Sequence, residues 1–450
     1  MDIVITGYGA VSPFGHGVAP LWDALVAGRS GVRALHRDGA LWEQVPIRVG
    51  ADAALDAEGS LGRVRANRLD RSQQLALVAA DEAWADAGAP AVEGDRLAVV
   101  IGTGIGGVET LLDAHDVLGA SGARRVSPRT VPMLMANGAA AQISIAYGAR
   151  GGAYTTVSAC ASGAEAIATA ARLIATGEAD VVITGGTEAA VTPVTMASFA
   201  QSQALAKPDG DDPTTLSRPF DADRRGFVLG EGAGIVLLER ADHAAARGQR
   251  SHGTLAGWGI TSDAHHITAP RTDGSEQERA MRSAIRMAGL TGGDIDHVNA
   301  HATGTPVGDV GEAAAISRAV GTGALVTAPK SAIGHMFGAA GAVEGILTLR
   351  ALEPGIVPPT LNLDRLDPAL GAADRASHTR EGSIEAIVAA DIPSAAVYGT
   401  SGQERSALFT AIRQVSEVAP CTGSAIDAAL QQDAGDEATA ATRGFATPLG

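Results

Sequence analysis

Residues Thr155–Gly177 read TTVSACASGAEAIATAARLIATG, and the order of residue types in this stretch decides the fold class. A β-branched run, Thr155 to Val157, gives way to small residues on both sides of Cys160. Ala164, Ile167, Ala171 and Ile174 then recur at helical spacing and draw one apolar stripe, which Gly177 closes. A strand that turns tightly into a helix is the unit of a layered α/β protein. Cys160 falls at or near the N-terminus of that helix, where free N–H groups and the helix dipole favour a thiolate. Ala159, Ala161, Ser162 and Gly163 leave room for a substrate to approach. A lone cysteine is more often a packed apolar side chain, but this setting puts the nucleophile on an equal footing.

Working outward, short apolar runs recur at Ile3–Thr6, Leu97–Ile101, Val181–Thr184, Gly234–Leu238 and Glu385–Ala390. Runs of this length fit strands buried on both faces. Ser72–Ala87 places Leu75, Val78, Ala79, Ala83 and Ala87 on one helical stripe, with Gly88 as the stop. The opening ITGYGAV is echoed by DVVITGG at 180 and by LAGWGIT at 255, which suggests an internal duplication. From Pro420 to Gly450 the chain is rich in Ala, Thr, Asp and Gln, the composition of a weakly ordered tail, and Cys421 lies within it.

Composition removes several function classes. The chain has 450 residues, ample for a large core, and only 2 cysteines, too few for a disulfide scaffold. Its 34 basic and 50 acidic residues leave a net charge of −16, against sequence-independent nucleic-acid binding. The N-terminal MDIVITGYGAV reads as a buried strand and not as a leader, and no run approaches the ~18 apolar residues of a membrane span. The expectation is a cytoplasmic α/β protein.

Two histidines accompany the cysteine. His301 lies in HVNAHATGTPVGD, and His335 in TAPKSAIGHMFGAAGAVEG, five residues after Lys330 and nine before Glu344. Both segments read as strand-exit loops, the usual place of sites in α/β sheets. Gly102, Gly104 and Gly107 match G-x-G-x-x-G, but the acid that a dinucleotide site needs further on is missing. Gly230–Gly234 (GEGAG) reads as a tight turn. His297 with His301, or His265 with His266, lacks the pattern of a zinc site, so no metal is expected.

With Cys160, His301, Lys330 and His335 together, the chain resembles the β-ketoacyl-acyl-carrier-protein synthases of the thiolase superfamily, most of all the elongating type II ketosynthases of fatty-acid and polyketide synthesis. The resemblance runs from Ile3 to about Phe409. It rests on VITGYGAVSPFG at 4, IGTGIGG at 101, VSPRTVPMLMANGAAAQISIAYGARG at 126, VSACASG at 157 and SRPFDADRRGFVLGEGAGIVLLE at 217. SDAHHITAP at 262, HATGTPVGD at 301, KSAIGHMFGAAGAVEG at 330 and VPPTLNLD at 357 continue it in order.

The resemblance implies the thiolase fold, with duplicated halves in a five-layered αβαβα sandwich, usually dimeric. It divides the chain into residues 1–240 with the nucleophile, 241–410 with the histidines and a weakly ordered tail, 411–450. Cys160 would carry the acyl group, and His301 and His335 would donate to the malonyl thioester oxygen as CO₂ leaves. Lys330 would add positive charge beside them and pair with Glu344, with Asp309 and Glu312 as supporting carboxylates. Thr303 and Thr305 would bind the pantetheine arm, Ile105 would line the acyl pocket, and the N–H groups of Cys160 and Thr400 would form the oxyanion hole. No cofactor is implied, because substrates arrive on the phosphopantetheine of acyl carrier protein. The docking surface would be Arg63, Arg65, Arg68 and Arg71, in RVRANRLDR, with a second cluster at Arg124, Arg125 and Arg129.

One stretch departs from the family. Ala396–Glu404 reads AVYGTSGQE where elongating enzymes carry a phenylalanine-containing glycine-rich gate, so Thr400 and Glu404 are substitutions there. This motivates an alternative, an acyl-transferring or cyclising enzyme that uses Cys160 without elongation. A further alternative is a chain-length-factor-like subunit of a heterodimer, but such subunits lose the cysteine retained here.

Overall fold

The computed structural model describes residues 2–399 apart from 209, 211, 267–269, 372–379, 382–385 and 392–393. Thr400, Glu404, Cys421 and the segment 411–450 lie outside the described residues.

Five strands of the first half are β1 (Ile3–Ser12), β2 (Leu97–Gly102), β3 (Ala153–Thr156), β4 (Val181–Glu188) and β5 (Gly232–Arg240). Five of the second are β6 (Gly253–Ile260), β7 (His297–Asn299), β8 (Leu325–Thr327), β9 (Ala386–Asp391) and β10 (Ser394–Gly399). In space the first set runs β3-β2-β4-β5-β1 and the second runs β8-β7-β9-β10-β6. Numbered within its half, each is therefore third, second, fourth, fifth, first. The pairings also match: the first three are parallel and the last two join antiparallel. β1 and β6 pair over Val4↔Thr254 and Ile5↔Gly253 and join the halves.

The longer helices are α1 (Arg71–Asp86), α2 (Val108–Ser121), α3 (Gly138–Tyr147), α4 (Ser162–Ala175), α5 (Ser275–Met287), α6 (Gly308–Ala319) and α7 (Ala340–Leu352); all but α2, which buries no residue, cover these strands. Side-chain alternation explains the continuous apolar runs. Leu97, Val99, Ile101, Val181, Ile183, Ile235 and Leu237 point to α1 and α3, whereas Ala98, Val100, Val182, Val236 and Leu238 point to α4 and α7. α5 and α6 cover the second half's outer face through Val298 and Val326. Helices α4 and α7 pack against strands of both halves, which gives the αβαβα order.

The expected helix over 72–87 begins one residue earlier. Asp70 caps it by accepting from the Ser72 N–H (2.8 Å), and its stripe of Leu75, Val78, Ala79, Ala83 and Ala87 is buried. The expected turn at Gly230–Gly234 is not one. Gly232–Gly234 belongs to β5, and a Cβ on Gly234 would stand 2.7 Å from the Val343 nitrogen of α7. Close helix approach, not a reversal of the chain, demands glycine there. None of the described helices is long and apolar enough to cross a membrane.

Candidate active site

The first half delivers the thiol. After β3 the chain makes one 3₁₀ turn, Ala159–Ala161, and enters α4 at Ser162. Ser162 Oγ ties the turn, accepting from the Ser158 N–H (2.9 Å) and donating to the Ala159 carbonyl (2.7 Å). Ala159 adopts φ +53°, a left-handed conformation that a residue with a Cβ holds only when its surroundings impose it. Cys160 follows it, half-buried, with the N-terminus of the 14-residue α4 just beyond. That end of the helix stabilises negative charge developing on sulfur.

The second half delivers the imidazoles. His301 leaves β7 in a loop whose backbone is gripped by Glu312 on α6, which accepts the N–H of His301 and of Ala302, each at 2.7 Å. Asp309 accepts from Gly304 N (3.1 Å) and Phe220 N (2.9 Å), so it holds the rest of that loop. Burial pushes Asp309 up to about 6, and burial together with the Asp309 charge pushes Glu312 up to about 8. Thr303 and Thr305 lie side by side, their hydroxyls 3.2 Å apart. Lys330 opens a short helix after β8, and its Nζ meets Glu344 Oε1 at 2.6 Å, both side chains 1% exposed. His335 follows.

These parts converge. His335 Nε2 lies 2.9 Å from Cys160 Sγ, and the His301 and His335 rings stand perpendicular with centroids 5.3 Å apart. Burial holds both imidazoles well below their ordinary pKa. Lys330 adds to the depression in both, and His301 adds to it in His335. Two neutral N–H donors beside a thiol suit a reaction in which negative charge develops on a thioester oxygen. The same three side chains are the set among the described residues whose ligand atoms, within 4.8 Å of one another, could hold a metal ion. His297 stands apart on β7 against Thr327 Oγ1 (2.7 Å), its pKa drawn down to about 3 by burial.

Three aromatic side chains were not singled out by sequence. Phe337 stacks on His335 (4.5 Å, 15°), Phe227 meets its ring edge-on (5.5 Å), and Phe199 packs on both phenylalanines. Cys160 borders this apolar cluster. Only the spacing of Phe337 two residues after His335 could have signalled it. Ile105, half-exposed, stands on the loop after β2.

Of the four arginines expected to dock a carrier, the structure separates one. Arg63, Arg65 and Arg68 are exposed and line, with Arg129, Pro132 and Met133, a surface hollow of about 670 Å³. Arg71 instead turns inward: its Nε meets Glu231 at 2.9 Å and it donates to the Ala53 carbonyl (2.7 Å). As the first residue of α1, beside the buried Glu231, it links parts of the fold and does not line that hollow.

Residues 1–244 match the β-ketoacyl synthase N-terminal domain and residues 252–364 the C-terminal domain. The chain belongs to the β-ketoacyl synthase family. It is 43% identical over 382 residues to 3-oxoacyl-(acyl-carrier-protein) synthase 2 of Mycobacterium tuberculosis, covering 85% of this chain and 92% of the relative. The like-named enzyme of Rhizobium meliloti is 43% identical over 374 residues, 80% of this chain and 89% of its own. Among solved structures, a β-ketoacyl synthase from Burkholderia phymatum superposes with a TM-score of 0.82 at 32% identity, over 89% of this chain and 100% of that one. A type II polyketide ketosynthase bound to its acyl-carrier protein and a hexaketide gives 0.78 at 26% identity, over 89% and 99%. As a β-ketoacyl synthase the chain is a condensing acyltransferase of fatty-acid or polyketide synthesis, with the thiolase fold.

Proposed function

We propose that this ketosynthase elongates an acyl chain held on Cys160 with the two carbons of a malonyl group, both delivered by acyl carrier protein. The convergence of Cys160, His301 and His335 carries this reading. The thiol sulfur attacks the acyl thioester carbonyl, the new C–S bond forms, and the carrier's sulfur leaves with the proton. Malonyl-carrier protein then enters, Thr303 and Thr305 bonding its pantetheine. Its C–CO₂ bond breaks, and the electron pair moves into an enolate whose oxygen receives the N–H of His301 and of His335. The enolate carbon bonds to the acyl carbonyl carbon as the C–S bond breaks, which returns the sulfur of Cys160. Lys330, balanced by Glu344, disfavours charged imidazoles and leaves each as a neutral donor. The acyl chain lies along Ile105, and the tetrahedral oxygen accepts from the N–H groups of Cys160 and Thr400. Both acyl groups come as thioesters, so no cofactor or metal takes part.

Exposed Arg63, Arg65 and Arg68 support carrier docking despite the net charge of −16. The edge strand β3 pairs with β2 alone among the described strands, and exposed Ile145, Tyr154 and Val157 lie on or beside it. This face fits a dimer, with a second copy or a homologous subunit, in the cytoplasm.

Incubation with acyl- and malonyl-carrier proteins, followed by intact mass measurement, tests the reading. Extension by two carbons is the expected result. Acyl-Cys160 without extension would favour the transferring or cyclising alternative, and no acylation would favour a chain-length-factor-like subunit. Cys160→Ala should abolish acylation. Arg65→Ala with Arg68→Ala should raise KM for carrier-bound substrate several-fold, roughly, and leave a small thioester analogue unaffected; equal effects on both would remove the docking assignment.

A further inference from the structure

Glu188 ends β4 and has no solvent exposure. Its carboxylate accepts four hydrogen bonds from two directions. Thr103 Oγ1 (3.1 Å), Gly104 N (2.6 Å) and Ile105 N (3.3 Å) come from the loop after β2, and Gly338 N (3.1 Å) comes from the turn after His335. Among the described residues these four donors include no cation, so they are what offsets the burial of a carboxylate. The contact joins the halves at close quarters: a Cβ on Gly338 would stand 2.5 Å from the Gly104 nitrogen. Phe337, immediately before Gly338, has φ +44°, a strained conformation for an aromatic residue, and its ring is the one stacked on His335.

We propose that Glu188 is a positioning residue for the condensation. By gripping Gly338 it holds Phe337 in its strained conformation, and Phe337 fixes the imidazole of His335 beside Cys160. The same carboxylate fixes the backbone of Ile105, so one side chain registers the acyl side of the site against the decarboxylating side. This rests on the assignment of His335 to decarboxylation.

Full-length Glu188→Gln tests it, because the amide keeps the length of the side chain but turns an NH₂ group toward two of the donors. The expected result is a fall in kcat for malonyl decarboxylation on the order of 10- to 100-fold, with KM for malonyl-carrier protein within about two-fold. Thermal melting should stay within a few degrees of the parent. A folded variant with kcat unchanged overturns the proposal. If melting falls sharply, Thr103→Val decides, since it removes one hydroxyl donor and keeps the shape: a loss of about three-fold at unchanged melting supports the proposal and no loss overturns it. His335→Ala is assayed alongside. Decarboxylation retained there removes the assignment and the proposal with it, whereas loss there beside a normal Glu188→Gln overturns the positioning role alone.

Discussion

In the first half the exit of the third strand, β3, leads through Ser158–Ala161 into α4 and presents Cys160; in the second, the exit of the third strand, β8, leads through Lys330–Ile333 to His335. The second-strand exits differ in the same way. After β2 come Thr103 to Gly107, largely backbone and small side chains, and after β7 come His301 to Thr305. The frames behind them are alike. Gly9 on β1 faces α1 and Gly259 on β6 faces α5, each so closely that a Cβ would lie 2.1 Å from Ala79 O or 2.2 Å from Ala280 O. The central helices diverge, for α4 keeps a partly exposed side, whereas α7 is buried from Ala340 through Leu349. The difference teaches how the site is divided. In the proposed condensation the thiol must be reached by a substrate, and the end of a partly exposed helix allows this. The proposed donors need a dry setting, and the half whose central helix is enclosed supplies it.

The most damaging way to break this division is Lys330→Ala, which leaves Glu344 buried without its ammonium. A loss of about 3–5 kcal/mol is expected, read from urea unfolding. A loss below about 1 kcal/mol would show the pair to be solvated and the second half's interior not dry. Next, Gly9→Ala and Gly259→Ala should each cost about 1–3 kcal/mol, since the Cβ would meet helix backbone that cannot rotate away. Unequal costs would mean that the two frames are alike in topology but not in packing.

A smaller effect concerns the junction of the halves. His252, just before β6, meets Asp86 Oδ2 at 2.8 Å and Glu353 Oε1 at 2.7 Å, at the ends of α1 and α7. Burial draws its pKa down, but the hydrogen bonds and charges of Asp86 and Glu353 prevail and raise it from 6.5 to about 9. A raised folded pKa means that this stability is complete below the ordinary 6.5 and is lost as pH climbs through about 9. The loss should be on the order of 1–2 kcal/mol and should be absent in His252→Gln. Identical pH profiles of melting for the two proteins would show that this contact does not staple the halves.

Much of the frame was legible because its causes are local. Runs such as Leu97–Ile101 are apolar at every position since both faces of β2 are covered, and the stripe on α1 repeats because one face of that helix meets the sheet. The echo of ITGYGAV in LAGWGIT was legible for a related reason: both strands receive a helix at glycine distance. The ion pair of Arg71 was not legible, because a basic run looks like a surface and Glu231, its partner, is 160 residues away. GEGAG was misread because glycine marks turns and close approaches alike, and sequence does not say which helix will lie against it.

By itself, then, the sequence determined the alternation of strands and helices, the duplication, the cysteine at a helix start and the histidines on strand exits, because each is written in short-range pattern. Tertiary structure alone decided that His335 stands 2.9 Å from the thiol, that both imidazoles are neutral, and that Glu188 joins the loops beneath them. Those properties depend on burial and on charges brought together from opposite halves of the chain, and no local pattern encodes either.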